Sequence, residues 1–524
     1  MTGRRRAWRV WRGMPRSRAP LPLVVGSLAL VLTGCSKKLE RTGEPIAARA
    51  GEAWDAPAAP EAATGITGRA DNTESYAHWE ATPWTRAADD RLSTFAVDVD
   101  TGSYTILRKK ILAGEPVPPD AVRVEELLNY FQYADAPPDG DAPFAIHTEM
   151  APSPWRAGAH LLRVALKGRE VPAAVRKTAH LVFLVDVSGS MADPDKLPLV
   201  KQSLRLLVDS LRADDTVSLV TYAGATRVVL EPTRLDRRSE ILEAISALDA
   251  GGSTAMASGI DLAYERAART LSPDSVSRVI VLTDGDANVG PTSFEELLAI
   301  IAGRAKEGVT LSTVGVGMGN YKDSLLEQLA DKGNGNYMYV DGPAEARRVF
   351  QDQLGGTVEV IARDAKVQVE FDPALVERYR LVGYDNRAVA DRDFRDDEVD
   401  GGEIGSGHAV TALYEVVLRA APAAGDVARV QVRAKPARGG EAGEWTHAIP
   451  ASAARASFAA ASADFRFAAA VMAAGEILRH SPEAEGWTLR EVRAVAHAAA
   501  GDSAERAELV SLLDRVADEQ VIAR

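Results

Sequence analysis

Residues 181–191 read LVFLVDVSGSM, a strand-forming run that ends on a carboxylate, Asp186, with hydroxyls following at alternate positions, Ser188 and Ser190. In an open parallel sheet, ligands sit outside the carboxyl ends of the strands near the topological switch point, where a loop can aim alternate side chains at one spot. Oxygen from Asp and Ser suits a hard cation. Mg2+ takes near-octahedral oxygen coordination and keeps several waters, so a few protein ligands suffice. With two hydroxyls in place of carboxylates the charge of such an ion is incompletely neutralised, and its open position favours an acidic group from outside.

Two more oxygen donors stand downstream. GGSTAMASGI (251–260) places Thr254 in a glycine-flanked loop before a helical pattern, and VIVLTDGDAN (279–288) ends a strand pattern on Asp284. Ser, Thr and Asp are also common helix caps and turn formers, and Asp-x-Ser-x-Ser alone fits either use. Five positions on one alternating strand–helix frame favour the metal.

That frame runs over 178–355. Short β-rich runs (HLVFLVDV, TVSLVTYA, TRVVLE, SRVIVLTD, VTLSTVGVG, NYMYVD) alternate with helical patterns at 196–211, 238–248, 256–270, 293–307, 323–332 and 343–354. Near-continuous Val/Ile/Leu strands separated by helices predict an α/β fold, a doubly wound and mainly parallel sheet covered on both faces. Residues 72–177 predict a small α+β region with a helix near Ser103. A second helix there turns Val122, Leu127, Leu128 and Phe131 toward a core. Residues 356–524 predict a β-rich stretch to about 450 followed by Ala-rich helices.

Asp-x-Ser-x-Ser, then Thr, then Asp, each on a loop at the expected sheet edge, resembles the von Willebrand factor type A domain. The resemblance implies its metal-ion-dependent adhesion site, built here from Asp186, Ser188, Ser190, Thr254 and Asp284. It also implies Mg2+ (or Mn2+) as the ion, a protein partner presenting an acidic residue, and no catalytic residues. It extends over 72–524: STFAVDVDTGSYTILRKKIL, GNYKDSLLEQLADKGNGNYMYVD, GEIGSGHAVTALYEV and FRFAAAVMAAGEILR are similar to segments of one group of bacterial lipoproteins with flanking regions on both sides of the A domain. Met256 stands where Gly is expected, beside Thr254, and is expected to narrow the site.

The N-terminus fits export. Seven Arg and no acidic residue fall in the first 34 positions, and an apolar run over 21–33 is too short to span a bilayer but suits a signal peptide. It ends in LTGC, which resembles the bacterial lipobox and implies cleavage after residue 34 and lipidation of Cys35, including palmitate. Cys35 is the only cysteine, so no intramolecular disulfide forms. Two acyl chains anchor a protein stably. Ser36, rather than Asp, points by the same resemblance to the outer membrane, periplasmic side, of a Gram-negative cell envelope. Residues 35–71, rich in Ala, Gly, Pro and Glu, read as a flexible tether. The formal charge of −13 argues against nucleic acid as a partner.

Several other patterns carry less. Residues 284–295 mimic a calcium loop, but Val289 occupies the position that needs Gly; Asp286 is expected to shape the metal edge or meet solvent. FAVDVDTG lacks the residue an aspartyl phosphotransferase motif requires, so Asp98 and Asp100 are expected to cap the next helix or pair with Arg108 and Lys109. The acid-rich stretch 391–403 reads as a solvated loop, and His408 as a packed or surface histidine. These observations favour a membrane-tethered, non-catalytic binding protein. The alternatives are a metal-assisted envelope hydrolase using Asp284 or Asp286, a scaffold without metal-dependent ligand, and an A domain serving an ATPase, which the export signal disfavours.

Overall fold

The strand that carries Asp186 is the centre of a six-stranded sheet. The computed structural model describes residues 73–522 apart from 173, 254, 286–292, 354, 355, 357, 420–423, 438 and 439. The segments expected to be a signal peptide and a tether, with Cys35, Thr254 and Asp286, therefore lie outside the described residues.

In chain order the structure opens with β1 (Thr85–Arg86), β2 (Leu92–Ala96), α1 (Gly102–Ala113), α2 (Val124–Tyr130), β3 (Phe144–Pro152) and β4 (Ala159–Gly168). The central domain follows: β5 (Thr178–Asp186), α3 (Leu197–Ser210), β6 (Thr216–Tyr222), β7 (Arg227–Arg234), α4 (Arg238–Ser246), α5 (Met256–Ala268), β8 (Ser275–Thr283), α6 (Phe294–Lys306), β9 (Val309–Val316), α7 (Asp323–Lys332), β10 (Tyr337–Val340) and α8 (Pro343–Arg347). The remainder is β11 (Val360–Phe371), β12 (Val376–Val382), β13 (Gly402–Gly405), β14 (Ala409–Leu418), β15 (Asp426–Pro436) and β16 (Gly443–Pro450), then α9 (Ala463–Leu478), α10 (Leu489–Ala499) and α11 (Ala504–Ile522).

The central sheet has the order β10-β9-β8-β5-β6-β7, parallel except for the antiparallel edge strand β7. One face packs on α3, α4 and the segment around Phe350; the other packs on α5, α6 and α7. Burial on both faces explains why β5 and β8 carry unbroken apolar runs, as a doubly wound sheet requires. From β5 the chain first builds outward to β6 and β7, then returns to the opposite side at β8. The crevice between the carboxyl ends of β5 and β8 is thus the switch point where ligands are expected.

The flanking stretches are interleaved in space. Strands β1-β12-β14-β4-β3 form one sheet, and β13-β11-β15-β16 form another, with β2 paired to β11. A shared core holding Phe95, Leu162, Val369, Tyr379 and Tyr414 lies between them. On the far side, α1, α2, α9, α10 and α11 bury Leu127, Leu128, Phe131, Phe467 and Met472 against Leu161 and Leu413 of the first sheet. The expected apolar face Val122, Leu127, Leu128 and Phe131 is buried there.

Three local expectations are corrected. Thr101, not Asp98 or Asp100, is the N-cap of α1, and it makes no side-chain cap. Asp100 accepts the Tyr337 N–H at 2.8 Å and pairs with Arg387 at 3.1 Å, while Arg108 pairs with Asp341 and Glu345, and Lys109 with Asp195. A guanidinium between two buried aspartates outweighs a cap that backbone geometry does not demand. Met256 does not narrow the site; it begins α5 and is fully buried in the core under that helix. The 391–403 stretch is not simply solvated: Phe394 is buried, Asp391 accepts the Thr94 hydroxyl at 2.6 Å, and burial pushes Glu403 up to about 8.

Candidate metal centre

The β5 ladder ends at Asp186, and the next residues are zipped to their neighbours by the backbone. Val187 donates to the Tyr222 carbonyl at 3.1 Å, Gly251 to Val187 at 2.7 Å, and Gly189 to Gly252 at 3.1 Å. The loop bearing the two serines is therefore fixed between the end of β6 and the 251–253 turn. Gly252 has φ +97°, in the left-handed region that favours glycine.

Asp186 is fully buried, and both its oxygens are oriented. Oδ1 accepts the Ser188 N–H at 2.8 Å, and Oδ2 accepts the Thr283 hydroxyl at 2.9 Å. The Ser188 and Ser190 hydroxyls lie 3.1 Å apart. Asp284, equally buried, follows β8 directly across the crevice; the Lys196 ammonium stands 3.0 Å from its Oδ2, and the Asn320 amide donates to the same oxygen at 3.1 Å. Lys196 in turn donates to Asn320 Oδ1 at 3.1 Å. Gly285, φ +81°, lets the chain leave the site: a Cβ there would sit 2.7 Å from the Lys322 nitrogen.

The two acids are poised differently. Burial pushes the Asp186 carboxyl up, and the charge of Asp284 adds to this against the Ser188 and Thr283 hydrogen bonds. Burial also pushes Asp284 up, but the Ser190 hydrogen bond, the Lys196 charge and Asn320 outweigh it and hold that carboxyl below its ordinary value. Two facing carboxylates in a buried crevice hold more negative charge than one ammonium balances, which suits an added cation.

Asp186, Ser188, Ser190 and Asp284 are thus brought together. Adjacent corners of an octahedron with metal–oxygen bonds of about 2.1 Å are about 3 Å apart, so the serine spacing fits two neighbouring ligands of a Mg2+-sized ion. Among the described residues no group of three or more His, Cys, Asp or Glu side chains converges as a metal site; a site here would need the serine hydroxyls as well. Sequence reasoning missed Lys196, Asn320 and Thr283. Thr283 precedes Asp284 directly and was within reach of the motif. Lys196 reads as the start of a helix, and Asn320 sits in a glycine-rich turn with no chemistry-bearing spacing.

The von Willebrand factor type A domain family matches residues 180–352, the frame that carries these loops. Residues 70–163 match the von Willebrand factor family, and 356–425 and 418–518 match the C-terminal region of uncharacterized protein YfbK. Uncharacterized protein YfbK of Escherichia coli (strain K12) is 36% identical over 464 residues, covering 84% of this chain and 81% of that protein. Uncharacterized protein sll0103 of Synechocystis sp. is 29% identical over 212 residues, 40% of this chain and 49% of its own length. A solved von Willebrand factor type A protein from Catenulispora acidiphila is 18% identical, with TM-score 0.43 over 71% of this chain and 89% of that one. Given an identity of 36% over most of both chains, with the A-domain frame between matching flanks, the chain belongs to the YfbK family of von Willebrand factor type A domain proteins.

Proposed function

We propose that the chain is a membrane-anchored, non-catalytic binding protein whose A domain takes a protein partner through a metal-ion-dependent adhesion site. Asp186, Ser188, Ser190, Thr254 and Asp284 would hold Mg2+ or Mn2+. When bound, the ion supplies an electrophilic corner for a carboxylate of the partner. The chain's own residues do the rest: Asp186 anchors the Ser188 loop through its N–H, Thr283 orients Asp186, and Asp284 holds Ser190. What carries the reading is the pair of serine hydroxyls 3.1 Å apart in front of two fully buried carboxylates.

Cys35 would carry the lipid anchor, with the folded part in the cell envelope, on the periplasmic side of the outer membrane in a Gram-negative cell. Isothermal titration of the mature chain with Mn2+ and Mg2+ tests the metal. Saturable heat is expected in the native chain, with none in Asp186→Ala or Ser188→Ala; equal heats in all three would refute it. Loss of acid-labile lipid in Cys35→Ala tests the anchor.

A further inference from the structure

The first described residues of the chain lie on the rim of the metal centre. Thr73 donates to the Gly319 carbonyl at 2.8 Å, Ser75 donates to Tyr321 at 3.0 Å, and Asp323 donates back to Ser75 at 3.2 Å. Ser75 and Lys322 form a parallel bridge. Glu74, a half-buried residue whose side chain is 4% exposed, accepts the Gly319 N–H at 2.8 Å through one oxygen and pairs with Lys110 of α1 at 2.7 Å through the other. Lys322 also donates to the Thr73 carbonyl. A strap over 73–76 therefore clamps the loop 317–322, which otherwise ties to the core through Tyr339 on the Gly317 carbonyl and the Tyr321–Tyr337 hydroxyl pair.

That loop carries Asn320, which touches both Asp284 and Lys196. The Lys196 stem also crosses it closely: a Cβ on Gly317 would meet Lys196 Cε at 2.5 Å. Lys196 is thus held by the loop with its ammonium where it neutralises Asp284, one of the two charges that would attract a divalent ion.

We propose that Asn320 and Lys196 are positioning residues that weaken the metal centre, and that the strap Thr73–Tyr76 sets their effect by clamping the 317–322 loop. With the strap docked, Asn320 keeps the ammonium on Asp284 and the ion meets a partly neutralised site. With the strap released, the loop frees Lys196 and the full charge of Asp284 faces the ion. Coupling of this kind is reciprocal, so a bound ion loosens the strap by the same factor that the strap weakens the ion. The segment just before Thr73 is the one expected to tether the chain, so the metal centre reports on what happens at that end. The inference rests on the proposed metal centre.

The test uses the full mature chain and three proteins: native, Glu74→Gln, which weakens the strap clamp, and Asn320→Ala, which leaves the strap intact but removes the link to Lys196. Mn2+ affinity is measured by titration, and amide exchange at Thr73, Ser75 and Asp323 is followed with and without Mn2+. Both variants are expected to bind Mn2+ more tightly by about fivefold or more, and Mn2+ is expected to speed exchange at these amides in the native chain. Binding in the variants alone would support the proposal equally. Native binding with both variants unchanged or weaker overturns the proposal while leaving the metal centre standing. No binding in any of the three overturns both. If Glu74→Gln does not fold, Asn320→Ala decides the affinity arm and native exchange decides the other.

Discussion

Gly285 shows how little room the proposed metal centre leaves at its edge. Its φ of +81° and the 2.7 Å approach to the Lys322 nitrogen leave no space for a methyl group. Gly285→Ala is expected to cost about 1–3 kcal/mol, the usual strain of an enforced left-handed residue, read as a lower urea midpoint, together with weakened Mn2+ heat because Asp284 is displaced. Asp186→Asn separates charge from shape. Asp186 is fully buried, and its charged form is opposed by burial and by Asp284; the amide keeps an acceptor for the Ser188 N–H. Its thermal midpoint is expected to be unchanged or higher than native, while Mn2+ heat disappears. A large loss of stability would mean that the carboxylate serves the fold rather than an ion.

At the level of elements, β5 forms the centre of the sheet and leads into the loop that carries Ser188 and Ser190. Phe183 lies in its middle, fully buried in the core under α3, and Phe183→Ala is expected to cost about 3–5 kcal/mol by urea unfolding. This layer was legible because burial on both faces forces continuous apolar strands, and amphipathic helices between them announce themselves by period. The helix expected over 196–211 spans 197–210, and that over 323–332 agrees at both ends. The clustering of Asp186, Ser188, Ser190 and Asp284 followed from the same logic, since these residues sit where β5 and β8 stop. Less visible were contacts that depend on packing alone. Lys196 reaches Asp284 from 88 positions away and Asn320 from 36, and no spacing rule connects them. Met256 looked like a rim residue because it neighbours Thr254, yet the start of α5 turns it inward.

Across the whole molecule, buried charge ties the parts together. Arg380 on β12 pairs with Glu415 on β14 at 2.6 Å and with Glu476 on α9 at 2.8 Å, with none of the three exposed. Removing the guanidinium leaves Glu415 to Arg156 and Glu476 to Arg479 and takes away the charge between the two buried carboxylates, so Arg380→Met is expected to cost up to about 3–5 kcal/mol, measured by urea unfolding. Glu403, beside β11 on β13, is pushed up to about 8, first by burial and then by Asp400 and Asp364. Its folded value lies above its unfolded one, so its contribution is complete below the ordinary Glu value of about 4.5 and is lost as pH rises through about 8. Glu403→Gln is expected to shrink the fall in thermal midpoint between pH 5 and pH 8.5. The sharing of sheets by the two flanks was not readable in advance, because strand partners so far apart leave no local trace.

The pairing of β4 with β14 joins Arg163 to residues such as Thr411, 248 positions later. A growing chain cannot complete that ladder until its last third has arrived, whereas the intervening α/β unit closes on neighbours close in sequence. Assembly is thus expected to be ordered in time, with the inserted unit maturing first and the outer layers sealing around its two ends as a slow step of long-range closure.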